Sequence, residues 1–257
     1  SQRKPIEERI GQRFISGLVT IIPIQSYDPW MTFVKKICVI NTGGTLSMRP
    51  AENGYQPCAG YLAEQMSHME ELSQALMPDF EVIEYAPLVD SSNMTPKIWR
   101  RIADDVCDNH HRFDGFVVLH GTDTMAYTAS ALALMLSGIT KPVILTGAQL
   151  PLGEIRNDAR ENLKTAMMLA ANYSIPEVSL FFGDHLYRGC RSTKVSATRF
   201  DAFDSPNYPP LASAGTSIEI FDEHILAQPA EICEVVVKSI EPAEVAAFRI
   251  FPGLSID

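Results

Sequence analysis

A short glycine-rich stretch, NTGGTLS at residues 41–47, follows an apolar run and carries two threonines beside two glycines. A hydroxyl on such a loop can act as a nucleophile when backbone N–H groups face the developing oxyanion and a base accepts its proton. Gly44 lets the backbone approach a substrate closely, and Thr45 would supply the hydroxyl. Phosphate-binding loops need GxxxxGK[ST] or GxGxxG, which this stretch lacks, so a nucleophile or a plain turn remain the alternatives.

Two further polar segments, GTDT and RSTK, could supply the base. A lysine that is partly desolvated and lies near a carboxylate can be uncharged often enough to accept a proton from a threonine. Thr122, Asp123 and Lys194 could form such a unit. Each group also has a plainer interpretation: Thr45 as a turn residue, Asp123 as a helix cap, and Lys194 as a solvated surface charge.

The elements that must position these residues are short apolar runs that alternate with longer helical stretches. Uninterrupted apolar strands with helices between them indicate an α/β fold, with a doubly wound, mostly parallel sheet covered on both faces. The predicted strands are KICVIN near Lys35, FEVIEYAP at 80–87, FDGFVVLHG at 113–121, KPVILTGAQ at 141–149 and EVSLFFGD at 177–184.

Caps and apolar spacing predict three helices between these strands. They are a helix from Pro96, after the N-cap Thr95, to about Asn109, a helix at 123–138 that closes with Gly138, and a helix at 157–173 that starts at an Asn/Asp cap. Pro, Asn and Gly in SMRPAENGYQP indicate a turn or hairpin, and the composition of 200–215 predicts a loop.

Ligands of a doubly wound sheet bind beyond the carboxyl ends of its strands. The residues at those positions are Thr42–Thr45, Asp90–Ser91, Gly121–Asp123 and Gly147–Gln149, so hydroxyls, a carboxylate and glycines converge on one rim. His120 titrates near neutral pH and invites interpretation as a base. At the end of an apolar strand, we instead expect a hydrogen-bonded structural histidine.

The formal net charge of −10 would repel nucleic acid and anionic membranes, so small uncharged or zwitterionic partners are expected. The apolar run Phe14–Ile24 is shorter than the ~20 residues that cross a bilayer. Five well-separated cysteines without a CxxC pair predict neither a zinc nor a disulfide framework, and they favour free thiols in a reducing cytoplasm.

The chain divides into three parts on this interpretation. Residues 1–33 form an extension without an assigned role, and residues 34–228 form the α/β domain. Residues 229–257 supply strands such as EICEVVVKSI and VAAFRIFPG, and begin a linker.

Five segments, in this order, together resemble the bacterial L-asparaginase family, in its type I cytoplasmic branch. They are NTGGTLS, DSSNMTP, LHGTDTMAYTASAL, KPVILTGAQLPL and LYRGCRSTK, within Lys35 to about Asp204. The resemblance implies an amidohydrolase that converts L-asparagine to L-aspartate and ammonia through an acyl-threonine, without a metal or organic cofactor. It also implies homo-oligomers and a second, smaller α/β domain that is largely absent from this sequence.

The resemblance implies a role for each residue of this chain that matches a family motif. Thr45 matches the primary nucleophile, Tyr55 matches a tyrosine on a mobile loop over the site, and Thr122, Asp123 and Lys194 match a second triad. The positions that would contact substrate are Gly44, Asp90, Ser91, Gly121 and Ala148; the pair Asp90 and Ser91 would hold the α-amino and α-carboxylate groups, and Ala148 would lie near the leaving amide.

This chain departs mildly from the family pattern at Leu46, Ser47 and Asn93; at Ser47 a small Gly or Ala is more common. Two alternatives to an L-asparaginase also remain. One is a catalytically inactive asparaginase-like domain that binds small amino acids or a partner, because the second domain is missing. The other is a glutaminase or another amidohydrolase on the same scaffold.

Overall fold

The structure is a computed structural model and describes residues 35–52, 54–74, 76–229, 234–240 and 252. Its strands are β1 Lys36–Gly43, β2 Met48–Ala51, β3 Gly54–Pro57, β4 Asp79–Val89, β5 Gly115–Leu119, β6 Leu136–Ser137, β7 Val143–Thr146, β8 Val178–Phe182, β9 His185–Arg188, β10 Thr193–Lys194, β11 Phe203–Asp204, β12 Ala212–Ala214, β13 Ile218–Ile220 and β14 Val236–Val237. The α-helices are α1 Tyr61–Ser67, α2 Pro96–Asn109, α3 Met125–Met135 and α4 Ala159–Asn172. Short 3-10 turns include Thr45–Ser47 and Ser91–Asn93.

One central sheet holds eight of these strands, in the order β13-β12-β9-β8-β7-β5-β1-β4. The five strands β4, β1, β5, β7 and β8 are mutually parallel. The other three, β9, β12 and β13, extend the sheet as an antiparallel edge. The predicted α/β class and the mostly parallel sheet are confirmed.

Helices cover both faces of this sheet because the inner strands β1, β5, β7 and β8 are buried on both sides. Alternate residues of β1 enter different cores, with Ile37 in one and Cys38 in the other. Helices α2 and α3 pack on the Cys38 face, and α1 and α4 pack on the Ile37 face. All five residues of β5 are buried, and each fully buried large aliphatic side chain stabilises the fold by about 1.5–3 kcal/mol.

The connection through α4 has the opposite hand to the one through α3. The chain advances in one direction across the sheet from β5 to β7 and then to β8. Helix α3 nevertheless covers one face and α4 the other. Two crossovers between parallel strands that advance in the same direction but pass over opposite faces of the sheet have opposite hands. Almost all such crossovers in proteins are right-handed. The connections through α1, α2 and α3 share one hand, so the one through α4 is unusual, and its segment between β7 and α4 supplies several residues of the site.

Several predicted boundaries were wrong in detail. Helix α3 spans Met125–Met135, so it ends before Gly138, because the chain turns there into the short strand β6. The segment 200–215 contains β11 and β12 as well as loop, because β11 pairs with the nearby β10 and β12 pairs with β9 at the edge of the central sheet. The predicted hairpin at 48–57 is confirmed as β2 and β3.

The predicted extension, residues 1–33, lies outside the described residues, as does most of the segment 241–257. Within 231–240, the described part contributes only β14, which pairs with β6. No helix in the described part of the chain is long and apolar enough to cross a membrane.

Candidate active site

The candidate site lies where β1 and β5 end side by side in the sheet. The chain order of the parallel strands reverses between these two strands, and ligands of doubly wound sheets bind at such a switch point. The Thr42 hydroxyl donates to the carbonyl oxygen of Leu119 at 2.8 Å, which ties the two strand ends together. The loops that carry Thr45 and Thr122 leave the sheet immediately beyond this bond.

Two consecutive glycines shape the turn that carries Thr45. Gly43 and Gly44 have φ angles of 127° and 85°, a region that residues with a Cβ rarely adopt. A Cβ on Gly44 would also lie 2.5 Å from the backbone nitrogen of Gly121, and one on Gly121 would lie 2.5 Å from the Ser91 hydroxyl oxygen. The loops after β1, β4 and β5 therefore meet at one point, as the argument from strand ends predicts.

Thr45 itself begins the 3-10 turn and is half-buried. Its hydroxyl makes no hydrogen bond within the part of the chain that the structure describes. An unengaged hydroxyl at a strand end is available to a substrate, whereas a turn or cap threonine normally bonds to nearby backbone.

Thr122, Asp123 and Lys194 form one hydrogen-bonded unit. The Lys194 Nζ donates to Thr122 Oγ1 at 2.7 Å and to Asp123 Oδ1 at 2.8 Å. The Lys194 side chain is only 18% exposed, although that of Asp123 is 70% exposed. Asp123 does not cap the following helix, whose N-cap is Thr124. The plainer interpretations of Asp123 and Lys194 are therefore wrong, while the catalytic role of the unit stays a prediction.

Gln149 joins this unit, and the sequence did not single it out for a role. The Thr122 hydroxyl donates to Gln149 Oε1 at 3.3 Å. The Gln149 amide nitrogen donates to the carbonyl oxygen of Arg199 at 3.0 Å, which fixes the orientation of the amide. The one feature of the sequence that could have pointed to Gln149 is its position directly after Ala148, at the end of a strand.

Tyr55 lies on β3 of the hairpin and is 43% exposed. Its hydroxyl donates to the carboxylate of Glu154, and this bond raises the pKa of Tyr55. It is the hairpin's one side-chain hydrogen bond to another element among the described residues. Sequence reasoning did not find Glu154, because it lies in the irregular connection between β7 and α4.

The predicted substrate contacts lie on the same rim. Asp90 uses Oδ1 to accept from the backbone and hydroxyl of Ser92, and its Oδ2 accepts no hydrogen bond from the described residues. Ser91 and Ala148 are buried, and the strand end before Ala148 packs closely against His120. One oxygen of the Asp90 carboxylate therefore remains available to an ammonium group.

His120 is fully enclosed and hydrogen-bonded at both ring nitrogens. The Thr128 oxygen accepts from Trp99 Nε1 at 2.9 Å, and its hydroxyl donates to His120 Nε2 at 2.8 Å because Nδ1 carries the proton of the neutral ring. The Nδ1–H then donates to the carbonyl oxygen of Gly121 at 2.7 Å. The expectation of a structural histidine is confirmed.

A cavity of about 320 Å³ opens beside the charged end of the unit. Asp123 and Lys194 line it together with α3 residues such as Tyr127, and Thr45 is not among its lining residues. No group of three or more His, Cys, Asp or Glu suited to a metal ion occurs among the described residues.

Comparison with known proteins assigns the family. The family model described as Asparaginase, N-terminal, matches residues 36–226, which include the whole rim. The chain belongs to the asparaginase family. The fold of this chain is thus that of an asparaginase N-terminal domain.

Two curated relatives illustrate the range of the family. The chain is 50% identical over 223 residues to L-asparaginase 1 of Escherichia coli strain K12, covering 87% of this chain and 65% of that protein. It is 42% identical over 240 residues to the 60 kDa lysophospholipase of Mus musculus, covering 86% of this chain and 42% of that protein.

A solved structure, L-asparaginase I from Vibrio cholerae, matches with a TM-score of 0.80 and 46% identity, over 86% of this chain and 66% of that one. The asparaginase domain described here therefore spans just under two thirds of the length of these two L-asparaginases.

Proposed function

We propose that this chain is part of an amidohydrolase that converts L-asparagine to L-aspartate and ammonia through a covalent acyl-threonine. The observation that supports this most is the contact of Lys194 with both Thr122 and Asp123, at 2.7 and 2.8 Å, beside the Gly44–Gly121 contact. These contacts join the unit of Thr122, Asp123 and Lys194 to the loop of Thr45, whose hydroxyl makes no hydrogen bond among the described residues.

The reaction has two steps. The Thr45 oxygen attacks the side-chain amide carbon, and the C–N bond breaks as the nitrogen takes a proton and leaves as ammonia. Water then attacks the ester, which releases aspartate and restores the hydroxyl. In this scheme Thr122 and Lys194 pass the proton of the Thr45 hydroxyl to the leaving nitrogen, and Asp123 holds Lys194 in place.

The substrate's charged end has a matching site in this proposal. The open Oδ2 of Asp90 accepts from the α-ammonium group, and Ser91 contacts the α-carboxylate. Gly44, Gly121 and Ala148 supply backbone close to the reacting amide. Each backbone donor that faces an oxyanion contributes roughly 3 kcal/mol in other enzymes. Tyr55, on the hairpin, covers the site.

We further propose a cytoplasmic location and assembly as a homo-oligomer, without a cofactor. Four described cysteines, Cys38, Cys58, Cys107 and Cys190, are free thiols, as in reduced compartments. Helix α3 presents Tyr127 and Leu134, each 69% exposed, on one face, which supports a covered surface in the assembled protein.

Ammonia release from L-asparagine and from L-glutamine tests the proposed activity. We expect Thr45→Ala to abolish turnover, and Thr122→Val to reduce it by a factor on the order of 100 or more, because each removes a reacting or proton-carrying hydroxyl. Thr216→Ala, at the exposed turn between β12 and β13, is the control and should be fully active.

Two outcomes would contradict the proposal. Full activity of Thr45→Ala would exclude the acyl-threonine. Stabilisation of the wild-type chain by L-aspartate in a thermal-shift assay, without ammonia release, would favour a domain that binds amino acids and is catalytically inactive.

A further inference from the structure

Asn41 lies fully buried at the end of β1 and makes three side-chain hydrogen bonds. Its Oδ1 accepts from the Gly43 backbone nitrogen at 3.1 Å and from the Ser47 hydroxyl at 2.8 Å. Its Nδ2 donates to Glu84 Oε2 at 3.0 Å. A carboxylate can only accept and a backbone N–H can only donate, so the orientation of the amide is determined.

These bonds bracket the turn that carries Thr45. Gly43 precedes it and Ser47 ends it, and both bond to the same oxygen of Asn41. The Ser47 backbone nitrogen also donates to the Gly44 carbonyl at 3.0 Å, and the Ser47 carbonyl accepts from Cys58 at 3.0 Å. Every polar group of Ser47 is therefore engaged, while the hydroxyl of Thr45 is left open to substrate.

The same network reaches the far end of the hairpin. Glu84 lies on β4, next to β1, and its Oε1 accepts from the Gly60 backbone nitrogen at 2.8 Å. The hairpin leaves the body of the domain after Ser47 and returns before Gly60. One buried amide and one carboxylate therefore hold both ends of the segment that carries Tyr55.

We infer that Asn41 and Ser47 are positioning residues for Thr45, through the bonds Gly43–Asn41 and Ser47–Asn41. The inference rests on the proposed function. Ser47 is fully buried, so its hydroxyl has no competing bond to water and constrains the turn that carries the proposed nucleophile. An enzyme whose nucleophile is held less firmly in position has a lower kcat but keeps its affinity for the charged end of the substrate.

Ser47→Ala tests the inference, and the chain offers a matched control. Ser179 is also a fully buried serine, but its hydroxyl has no hydrogen-bond partner, so Ser179→Ala should leave kcat and stability unchanged or improve stability. We expect Ser47→Ala to lower kcat by a factor on the order of 10–100 with KM for L-asparagine nearly unchanged. Ser47→Cys keeps a weak donor and should lie between wild type and Ser47→Ala.

Hydrogen exchange supplies a readout that does not need turnover. The amides of residues 43–47 should exchange faster in Ser47→Ala than in wild type or Ser179→Ala, because the bonds around Asn41 open more often. Unchanged exchange there, or a kcat equal to that of Ser179→Ala, overturns the inference. If Thr45→Ala also retains turnover, the proposed function itself fails; if Thr45→Ala is inactive, only the positioning role is lost.

Discussion

At the residue scale, the buried histidine next to the site is a structural group that makes the free energy of unfolding depend on pH. Burial lowers the pKa of His120 to about 4, so the ring is neutral wherever the protein works near neutral pH. A neutral ring can accept from Thr128 and donate to Gly121 at once, which holds the strand end before Thr122. Proton transfer near neutral pH is thus left to the other groups of the rim.

This depressed pKa predicts a loss of stability in acid. Between pH 4 and 6.5, the unfolded chain binds a proton at this position that the folded chain does not. The free energy of unfolding therefore falls as the pH is lowered through that window, by up to roughly 3 kcal/mol from this group. Urea unfolding should show this slope in wild type and a clearly smaller one in His120→Gln, where partly buried His110 still contributes. The exposed His111→Gln serves as control, and an equal slope in all three proteins would contradict the prediction.

At the element scale, the connection from β7 to α4 organises the rim. The helix was expected to start at an Asn/Asp cap: Asn157 Oδ1 accepts from the backbone nitrogen of Arg160 at 3.2 Å, whereas the Asp158 carboxylate makes no cap bond to the helix. It accepts instead from the backbone nitrogens of Gln149 and Leu150, and from Asn162 Nδ2 at 3.3 Å. The loop is folded back on the start of its own helix, which presents Gln149 to Thr122 and Glu154 to Tyr55.

Removing this carboxylate should loosen the loop and destabilise the domain. Asp158 is 8% exposed, and Asp158→Ala leaves two backbone donors without their acceptor. We expect a loss of about 2–4 kcal/mol in the free energy of unfolding. The exposed Asp201→Ala should change it by less than about 0.5 kcal/mol. Denaturant unfolding of both variants measures the difference, and equal stability of the two would refute this role.

At the scale of the whole molecule, the described surface keeps large apolar side chains exposed. Tyr127 and Leu134 lie seven residues apart on α3, and Tyr127 lines the cavity beside Lys194. Residues at that spacing share one helix face. Exposed apolar patches on a stable domain mark surfaces that another chain or domain covers. The proposed homo-oligomer would bury this face close to the site.

A charge on that face should therefore weaken self-association. We expect Leu134→Lys to shift the oligomer toward smaller species in sedimentation velocity, because a buried unpaired ammonium opposes assembly. Leu76→Lys is the matched control, since Leu76 is 74% exposed but lies away from α3. Equal sedimentation of both variants and wild type would exclude this face as the contact. Thermal unfolding of the variants separates dissociation from misfolding.

The sequence by itself determined the local parts of this protein. Continuous apolar runs indicated the parallel strands, since a strand buried on both faces needs them. The residues after those runs indicated the rim, because parallel strands end at the same edge of the sheet. Glycines at 43 and 44 predicted a loop whose backbone can approach a substrate closely, and both adopt positive φ in the structure.

The tertiary structure alone decided which distant groups meet. Tyr55 and Glu154 lie 99 residues apart, and Thr122 and Gln149 lie 27 apart, in loops whose paths no periodic pattern encodes. No periodic pattern encodes the opposite hand of the α4 connection either, or the use of Asp158 to hold a loop. Local patterns record which side chains are buried, whereas hydrogen-bond partners across loops depend on where the packed elements bring their ends.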